Sequence, residues 1–445
     1  MTATTIFATT IFALATAPGR AGVAVVRVSG SETASALKAL AGNDLPRPRF
    51  AGLRALRDPR TGEALDDALV LWFPAPRSFT GEDVGELHLH GGRAVVAGVI
   101  EALGALPGLR VAEPGEFTRR AFENGKLDLT AAEGLADLVD AETSAQRRQA
   151  LRQMEGALGR LYEGWRDRLT RALAHIEADI DFSDEDLPVG VADAVRPVLE
   201  ALVTGIDAHL ADGRRGERLR EGLHIAIVGA PNAGKSSLLN ALARREAAIV
   251  SARAGTTRDV IEVHLDLGGF PVVLADTAGL REAGDEIEEE GIRRALDRAA
   301  KADVKIAVFD ATAPLDAATR ALIDADTVVV LNKTDLAPAA IDVDGVLALP
   351  VSARTGVGLQ ELEERLAAFS ADRMAGTGAP ALTRARHRAA LEECRDALAR
   401  ALIAPLPELA AEDVRLASRA LGRITGRVDV EDLLDVIFRD FCIGK

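Results

Sequence analysis

The stretch GAPNAGKSS, residues 229–237, decides the fold of the central part of the chain. It fits the pattern G-x-x-x-x-G-K-[ST], follows the apolar run HIAIVG (224–229) and opens the helical stretch SLLNALAR (237–244). In such a strand–loop–helix context, backbone N–H groups turn toward phosphates, Lys235 reaches the terminal phosphates and Ser236 supplies a hydroxyl to Mg²⁺. A glycine-rich turn without a ligand is the disfavoured alternative. The stretch therefore predicts an α/β domain that binds a nucleoside triphosphate.

Further motifs occur in the order that is typical of a Ras-like GTPase. DTAG (276–279) follows a predicted strand and offers Asp276 to the Mg²⁺ shell and the Gly279 N–H to the γ-phosphate. The Asp335 carboxylate of NKTD (332–335) can accept from two N–H donors of guanine, a pair that adenine lacks, so the base should be guanine. SAR (352–354) completes the set, and AGTTRD (254–259) is the matching switch, with Thr257 as a second Mg²⁺ ligand. The predicted nucleotide contacts are Asn232, Ala233, Gly234, Lys235, Ser236, Ser237, Ala254, Gly255, Thr256, Thr257, Asp276, Thr277, Ala278, Gly279, Asn332, Lys333, Thr334, Asp335, Ser352, Ala353 and Arg354.

The residue after DTAG is unusual for a GTPase of this superfamily. Ras has a glutamine there that orients the attacking water, whereas this chain has Leu280, which cannot hydrogen-bond a water. Hydrolysis therefore needs another group. The candidates are Arg281, a carboxylate of the acidic run GDEIEEE (284–290), or a cation near the phosphates, while a solvated helix face is the alternative for the run.

The hydrophobic pattern changes along the chain and predicts an α/β and α+β multidomain protein. Short β-branched runs such as VAVVRVSG (23–30), mixed with helical stretches, indicate an N-terminal α+β domain over residues 1–125. Apolar residues spaced by three or four predict a helical domain with two parts, 126–220 and 372–445. Between them, apolar runs that end in polar loops predict an inserted α/β G domain with a mainly parallel sheet over 221–371. The tandem repeat TTIFA (4–8 and 9–13) suggests that the first copy is a dispensable extension.

Composition restricts the class of protein. The 445 residues contain two cysteines, too few for a disulfide framework, and no apolar run approaches the length of a membrane span. We therefore expect a soluble cytoplasmic protein with no membrane partner. A net charge of −15 argues against nucleic-acid binding over a broad basic surface, although a nucleic acid partner could be met locally or through a second protein.

Four segments outside these motifs carry a more specific resemblance. LATAPGRAGVAVVRVSG (14–30), SFTGEDVGELHLHGG (78–92), PGEFTRRAFENGKLDL (114–129) and FCIGK (441–445), together with the GTPase motifs, resemble the MnmE (TrmE) family of tRNA modification GTPases, from about Thr10 to Lys445. The resemblance implies an N-terminal domain that binds a tetrahydrofolate derivative, in the 5-formyl or methylene form, and makes a homodimer. It also implies an FAD-dependent partner, MnmG, with which family members install an aminomethyl-type group at C5 of uridine 34 in certain tRNAs. GTP hydrolysis to GDP would drive rearrangement, with K⁺ promoting transient dimerisation of the G domains.

The resemblance also implies roles for single residues of the nucleotide site. K⁺ ligands would be Asn232 and, from the switch loop around Ala252, Ser251, Arg253 and Thr256. K⁺ would supply the positive charge that an arginine finger provides in other GTPases. Within the acidic run, Glu288 matches the carboxylate that orients the water.

For folate, Arg27, Glu86 and Lys126 match family positions. A glutamate can pair with pterin N–H donors, and cations can pair with the glutamate carboxylates of folate. The resemblance places the tail RDFCIGK (439–445) near this site, so Lys445 becomes a candidate folate contact. Cys442 is either a participant in modification or a small thiol that docks the tail.

The sequence also allows other interpretations. His88 and His90 alternate with Glu86, but Glu86 and His90 stand roughly 13 Å apart along a strand and cannot share one metal ion, so a structural or folate-side role is preferred to zinc. Cys394 lies on a helical seam and is expected to be a buried apolar residue. A ribosome-assembly GTPase should add a basic RNA-binding module, and a purely regulatory GTPase would lack the folate-like N-terminal motifs.

Overall fold

The computed structural model describes residues 9–181, 191–245, 262–276, 297, 299–337, 341–376, 380–428, 431–439, 441 and 444, with only the backbone of 191–194, 276, 431–433 and 436. The chain forms two compact units. The first is built from Met1–Ala136, Gln153–Arg171 and Arg415–Lys445, and the second from Asp137–Arg152 and Ala172–Val414. Within the described ranges, no helix is long and apolar enough to cross a membrane.

The first unit contains a six-stranded sheet. Its strands are β1 (Thr10–Leu14), β2 (Ala21–Ser29), β3 (Gly52–Arg57), β4 (Ala64–Phe73), β5 (Val84–Gly91) and β6 (Leu109–Val111), in the order β3-β4-β5-β2-β1-β6. Neighbours are antiparallel except for β1 and β6. Strand β1 arises from the second TTIFA copy, whereas the first copy lies outside the described residues.

Alternation along the strands gives this sheet two different faces. Val26, Val28 and other apolar side chains of one face pack with helices α1 (Thr33–Ala41) and α2 (Arg93–Gly104). Because successive residues of a strand point to opposite faces, Arg27 and Glu86 lie on the face away from these helices. The predicted α+β character of the N-terminal segment is confirmed.

Helices complete the first unit. They are α3 (Glu116–Glu123), α4 (Leu129–Asp140), α5 (Ser144–Met154), α6 (Ala157–Asp181), α13 (Pro407–Thr425) and α14 (Glu431–Arg439), of which α4, α5, α6 and α13 also extend into the second unit. Leu434 and Phe438 of α14 are buried against Leu129 and Ala132 of α4, flanked by Ile437 and Phe441.

The second unit contains the predicted parallel sheet. Its strands are β7 (Leu223–Gly229), β8 (Glu262–Leu267), β9 (Phe270–Asp276), β10 (Val304–Asp310), β11 (Thr327–Asn332) and β14 (Leu349–Pro350), in the order β14-β11-β10-β7-β9-β8. A small hairpin, β12 (Asp342–Val343) and β13 (Val346–Leu347), lies apart. Only the pair β8 and β9 is antiparallel in the larger sheet. Helices α9 (Lys235–Ala243), α10 (Ala317–Arg320) and α11 (Leu359–Met374) accompany this sheet.

Three further helices of the second unit precede or follow the strands of this sheet in the sequence: α7 (Val191–Leu210), α8 (Arg215–Glu221) and α12 (Ala385–Ile403). Helices α7 and α12 run antiparallel, since Arg388 donates to Leu210 O near one end and Arg196 donates to Leu402 O near the other. Cys394 of α12 is fully buried, and burial raises the pKa of its thiol to about 12. The prediction of a buried apolar cysteine is confirmed.

Candidate nucleotide site and N-terminal charge pair

The loop between β7 and α9 carries the first predicted contacts. Asn232 and Gly234 take left-handed backbone conformations, with φ of 64° and 95°, before α9 begins at Lys235. A Cβ at position 234 would lie 2.2 Å from Asn332 Nδ2, so only glycine fits there. Lys235 is buried, and its Nζ donates to two carbonyl oxygens of the loop at 2.7 and 2.9 Å. The ammonium is therefore held at the N-terminus of a helix, where anions are favoured.

Asn332 connects this loop to the SAR motif. It ends β11 and is only 2% exposed. Its Nδ2 donates to Ala233 O at 2.9 Å, and its Oδ1 accepts from Ala353 N at 3.1 Å. Because both polar atoms of the amide are used, the side chain has one orientation and fixes the distance between the phosphate loop and the base-binding loops.

Asp335 carries the carboxylate that is predicted to bind guanine. Ser352 Oγ donates to its Oδ1 at 2.7 Å, and the Arg354 guanidinium donates to Oδ2 at 2.9 and 2.5 Å. The Ser352 hydrogen bond, and after it the Arg354 guanidinium, lower the pKa of Asp335 against the opposing effect of burial. The carboxylate is thus ionised at neutral pH and can only accept hydrogen bonds.

The structure adds Asp310, which the sequence analysis missed. Asp310 ends β10 opposite Asn332 of β11, and its Oδ2 accepts from Lys333 Nζ at 2.6 Å. Burial would raise the pKa of Asp310, but hydrogen bonds from Lys333 and Thr312 outweigh it and lower the pKa. Lys333 has a φ of 64°, a left-handed backbone conformation that is uncommon for residues with a Cβ. The signal that could have identified Asp310 in the sequence is a polar residue at the carboxyl end of an apolar run.

All these groups lie at one edge of the sheet. The phosphate loop follows β7, Asp276 ends β9, Asp310 ends β10 and Asn332 ends β11. The four strands are parallel, so their carboxyl ends meet at the same edge. This edge is where open α/β sheets bind ligands.

A second cluster of charges lies on the sheet of the first unit. Arg27 of β2 stands opposite Glu86 of β5, and its Nε and Nη2 donate to Glu86 Oε1 at 3.1 and 2.9 Å. The guanidinium also lies 5.5 Å from the ring centre of Phe79 and 5.8 Å from that of Phe117. His88 contacts Glu86 Oε2 at 3.2 Å. Two predicted folate contacts are therefore direct partners of each other.

The loop 76–81 contacts both Lys126, which is the third predicted folate contact, and Arg27 of this pair. Lys126 is exposed, and its Nζ donates to Pro76 O at 3.0 Å. The same loop supplies Phe79 to Arg27. His90 instead pairs with Asp66, at 2.7 Å, so the two histidines have separate carboxylate partners.

The tail reaches the Arg27 pair through Gly444. Its carbonyl oxygen accepts from Arg27 Nη1 at 3.4 Å, and the residue is buried. Gly444 has a φ of 98°, and a Cβ there would lie 2.3 Å from Leu14 O and 2.8 Å from Ala15 Cα. Gly444 therefore packs closely on the chain that leaves β1.

Comparison with known families decides the identity of the chain. Residues 10–126 match a family model described as the GTP-binding protein TrmE N-terminus, and residues 129–442 match the MnmE helical domain. The second match alone covers more than half of the chain. The chain belongs to the MnmE family of tRNA modification GTPases.

Relatives within the MnmE family match over nearly the whole length. The tRNA modification GTPase MnmE of Paramagnetospirillum magneticum is 62% identical over 442 residues, which cover 98% of this chain and 99% of the relative. The protein of the same name from Parvibaculum lavamentivorans is 62% identical over 440 residues, covering 98% and 100%. The human mitochondrial 5-taurinomethyluridine tRNA synthase subunit GTPB3 is 51% identical over 466 residues, covering 98% and 93%. The nucleotide site lies within residues 129–442 and the Arg27–Glu86 pair within residues 10–126, the ranges that the two family models match.

Some predicted contacts lie outside the described residues: Ser251, Ala252, Arg253, Ala254, Gly255, Thr256, Thr257, Thr277, Ala278, Gly279, Arg281, Glu288, Cys442 and Lys445. Ser236 and Ser237 are exposed in the first turn of α9. Across the described part of the chain, no group of three His, Cys, Asp or Glu residues could hold a metal ion.

Proposed function

We propose that the chain hydrolyses GTP while it acts, with the FAD-dependent partner MnmG and a tetrahydrofolate derivative, to install a (carboxymethyl)aminomethyl-type group at C5 of uridine 34 in certain tRNAs. One observation carries the proposal: Lys235 and the Asp335 carboxylate lie at the same edge of one parallel sheet, in a chain of the MnmE family. The proposed parts are an N-terminal domain (1–125), helical parts (126–220 and 372–445) and an inserted G domain (221–371).

Each group at the sheet edge has a distinct role in nucleotide binding. Lys235 and the backbone N–H groups of α9 bind the phosphates, and Ser236 with Thr257 and Asp276 would hold Mg²⁺. The ionised Asp335 accepts from the two N–H donors of guanine. Asn332 holds the phosphate and base loops at a fixed separation, which favours a ligand that fills both.

Hydrolysis needs a group that replaces the glutamine of Ras, because Leu280 cannot orient water. We assign that role to Glu288, with Arg281 as a further candidate. Asn232, Ser251, Arg253 and Thr256 are the proposed K⁺ ligands, and bound K⁺ would place positive charge on the phosphates during transient dimerisation of the G domains.

The Arg27–Glu86 pair supports the folate part of the proposal. Its members carry the charges that the pterin ring and the folate carboxylates require, and the two aromatic rings beside Arg27 offer apolar contact to a flat heterocycle. Lys126 and Lys445 would pair with the folate carboxylates. Cys442 is the proposed participant in modification, since the contact between Gly444 and Arg27 brings the tail to this pair.

Two observations support the proposed partners. Leu53 and Leu69 form an exposed cross-strand pair, 66% and 43% exposed, on the sheet of the first unit, and a homodimer would cover such a surface. The human relative is named a synthase subunit for a modified tRNA uridine, which supports tRNA as substrate and a hetero-oligomer with a second subunit. A cytoplasmic location is part of the same proposal.

Nucleoside analysis of tRNA from cells that lack the protein tests this function. Deletion should remove a C5-modified wobble uridine, and the wild-type chain should restore it. Lys235→Ala should fail to restore it, whereas Lys301→Ala, which changes an exposed lysine outside the motifs, should restore it. Unchanged tRNA nucleosides with altered ribosomal subunit profiles would instead indicate a ribosome-assembly GTPase, and unchanged values of both would indicate a regulatory one.

A further inference from the structure

The Arg354 guanidinium donates hydrogen bonds to the Asp335 carboxylate, which is the proposed contact for guanine. Its Nε and Nη2 both donate to Asp335 Oδ2, at 2.9 and 2.5 Å, while Ser352 occupies Oδ1. The two neighbours differ in burial. The Arg354 side chain is 73% exposed, whereas Ser352 is 1% exposed and also accepts from Thr355 N at 3.2 Å. Arg354 can therefore leave the carboxylate easily, and Ser352 is held in place.

The chemistry of arginine resembles that of the base. Guanine recognition uses the N1–H and the N2–H of one edge, and the C2 atom of guanine with N1, N2 and N3 forms a guanidine fragment. Arginine presents the same pair of parallel N–H donors on a planar guanidinium. The side chain therefore satisfies Asp335 with the donor pattern that guanine would bring.

We propose that Arg354 competes with guanine for Asp335 and thereby lowers the affinity of the site for GTP and GDP. The inference rests on the proposed guanine site. The arriving base must take Oδ2 from Arg354, so part of the base-binding free energy replaces an existing ion pair. An exposed pair of this kind is worth up to about 1 kcal/mol, which corresponds to an affinity effect of up to about fivefold.

The competition can be measured with the full-length chain and fluorescent GDP. Arg354→Met keeps most of the apolar stem and removes the donors, and it should bind GDP about two- to fivefold more tightly than wild type. Raising the salt concentration should narrow the difference, since salt screens exposed ion pairs. The same substitution can be made in an Asp335→Asn chain, with xanthosine diphosphate as ligand. There Arg354→Met should change the affinity less than about 1.5-fold, because asparagine offers no charge to Arg354. The effect of Arg354→Met on affinity should thus depend on the Asp335 carboxylate.

The outcomes separate the inference from the function on which it rests. If folded Arg354→Met bound GDP no more tightly than wild type, the proposed competition would be overturned. The guanine site itself would still stand, because the wild-type chain binds GDP. No GDP binding by the wild type would overturn both. Arg354→Gln provides a second variant, because it also removes the charge and should tighten GDP binding in the same direction.

Discussion

Replacement of Gly444 by alanine tests whether the docked tail controls modification. A left-handed backbone costs a residue with a Cβ about 1–2 kcal/mol. The Cβ would also lie 2.3 Å from Leu14 O, and a backbone atom cannot rotate aside as a side chain could. The loss of the Arg27–Gly444 hydrogen bond adds up to about 1 kcal/mol. The docked state should therefore lose about 2 kcal/mol or more, which is roughly a 30-fold shift toward an undocked tail.

Three measurements on Gly444→Ala test this reasoning. Backbone amides of the tail should exchange hydrogen faster, modification of tRNA should fall severely, and GTP hydrolysis should stay within about twofold of wild type, because the sheet edge that binds nucleotide belongs to the second unit. Gly62→Ala is the matched control, since Gly62 has a φ of 74° with no atom within 4 Å of an added Cβ. Gly62→Ala therefore introduces left-handed backbone strain without a steric overlap of the added Cβ. Wild-type modification by a Gly444→Ala chain whose tail exchanges faster would refute the role of docking.

Three other predictions concern the nucleotide site. Asp335→Asn should shift preference from GTP toward xanthosine triphosphate in competition binding, because the amide offers guanine one acceptor and a donor; unchanged GTP affinity would exclude Asp335 as the base contact. Because Asn232 is a proposed K⁺ ligand and Leu280 cannot orient water, hydrolysis should be much faster in K⁺ than in Na⁺ at equal ionic strength, and equal rates would contradict the assignment. Glu288→Ala should leave GTP binding intact and slow single-turnover hydrolysis, whereas a wild-type rate would remove Glu288 from the mechanism.

Local patterns predicted the nucleotide-binding fold well. The strand, the loop and the helix of 224–244 are adjacent in the chain, so the motif and its structural context can be read together. Apolar runs that end in polar residues likewise predicted β9, β10 and β11, because strands buried on both faces are apolar throughout.

Contacts between distant residues could not be predicted in this way. Arg27 and Glu86 were each named as folate contacts, yet their pairing depends on the register of β2 and β5 across 59 residues. The Asp310–Lys333 pair depends in the same way on β10 and β11 lying side by side. Arg354 was predicted as a nucleotide contact, and only the folded loops show that it donates to Asp335.

The burial of α14 against α4 has a consequence for how the chain is made. Phe438 and Leu434 cover Leu129 and Ala132, but ribosomes synthesise the two helices far apart in time. At 5–20 residues per second, the interval from Leu129 to Phe438 lasts on the order of 15 to 60 s. During that interval the apolar face of α4 has no α14 to cover it. The first unit is therefore completed late in translation, after the residues of α14 have been synthesised.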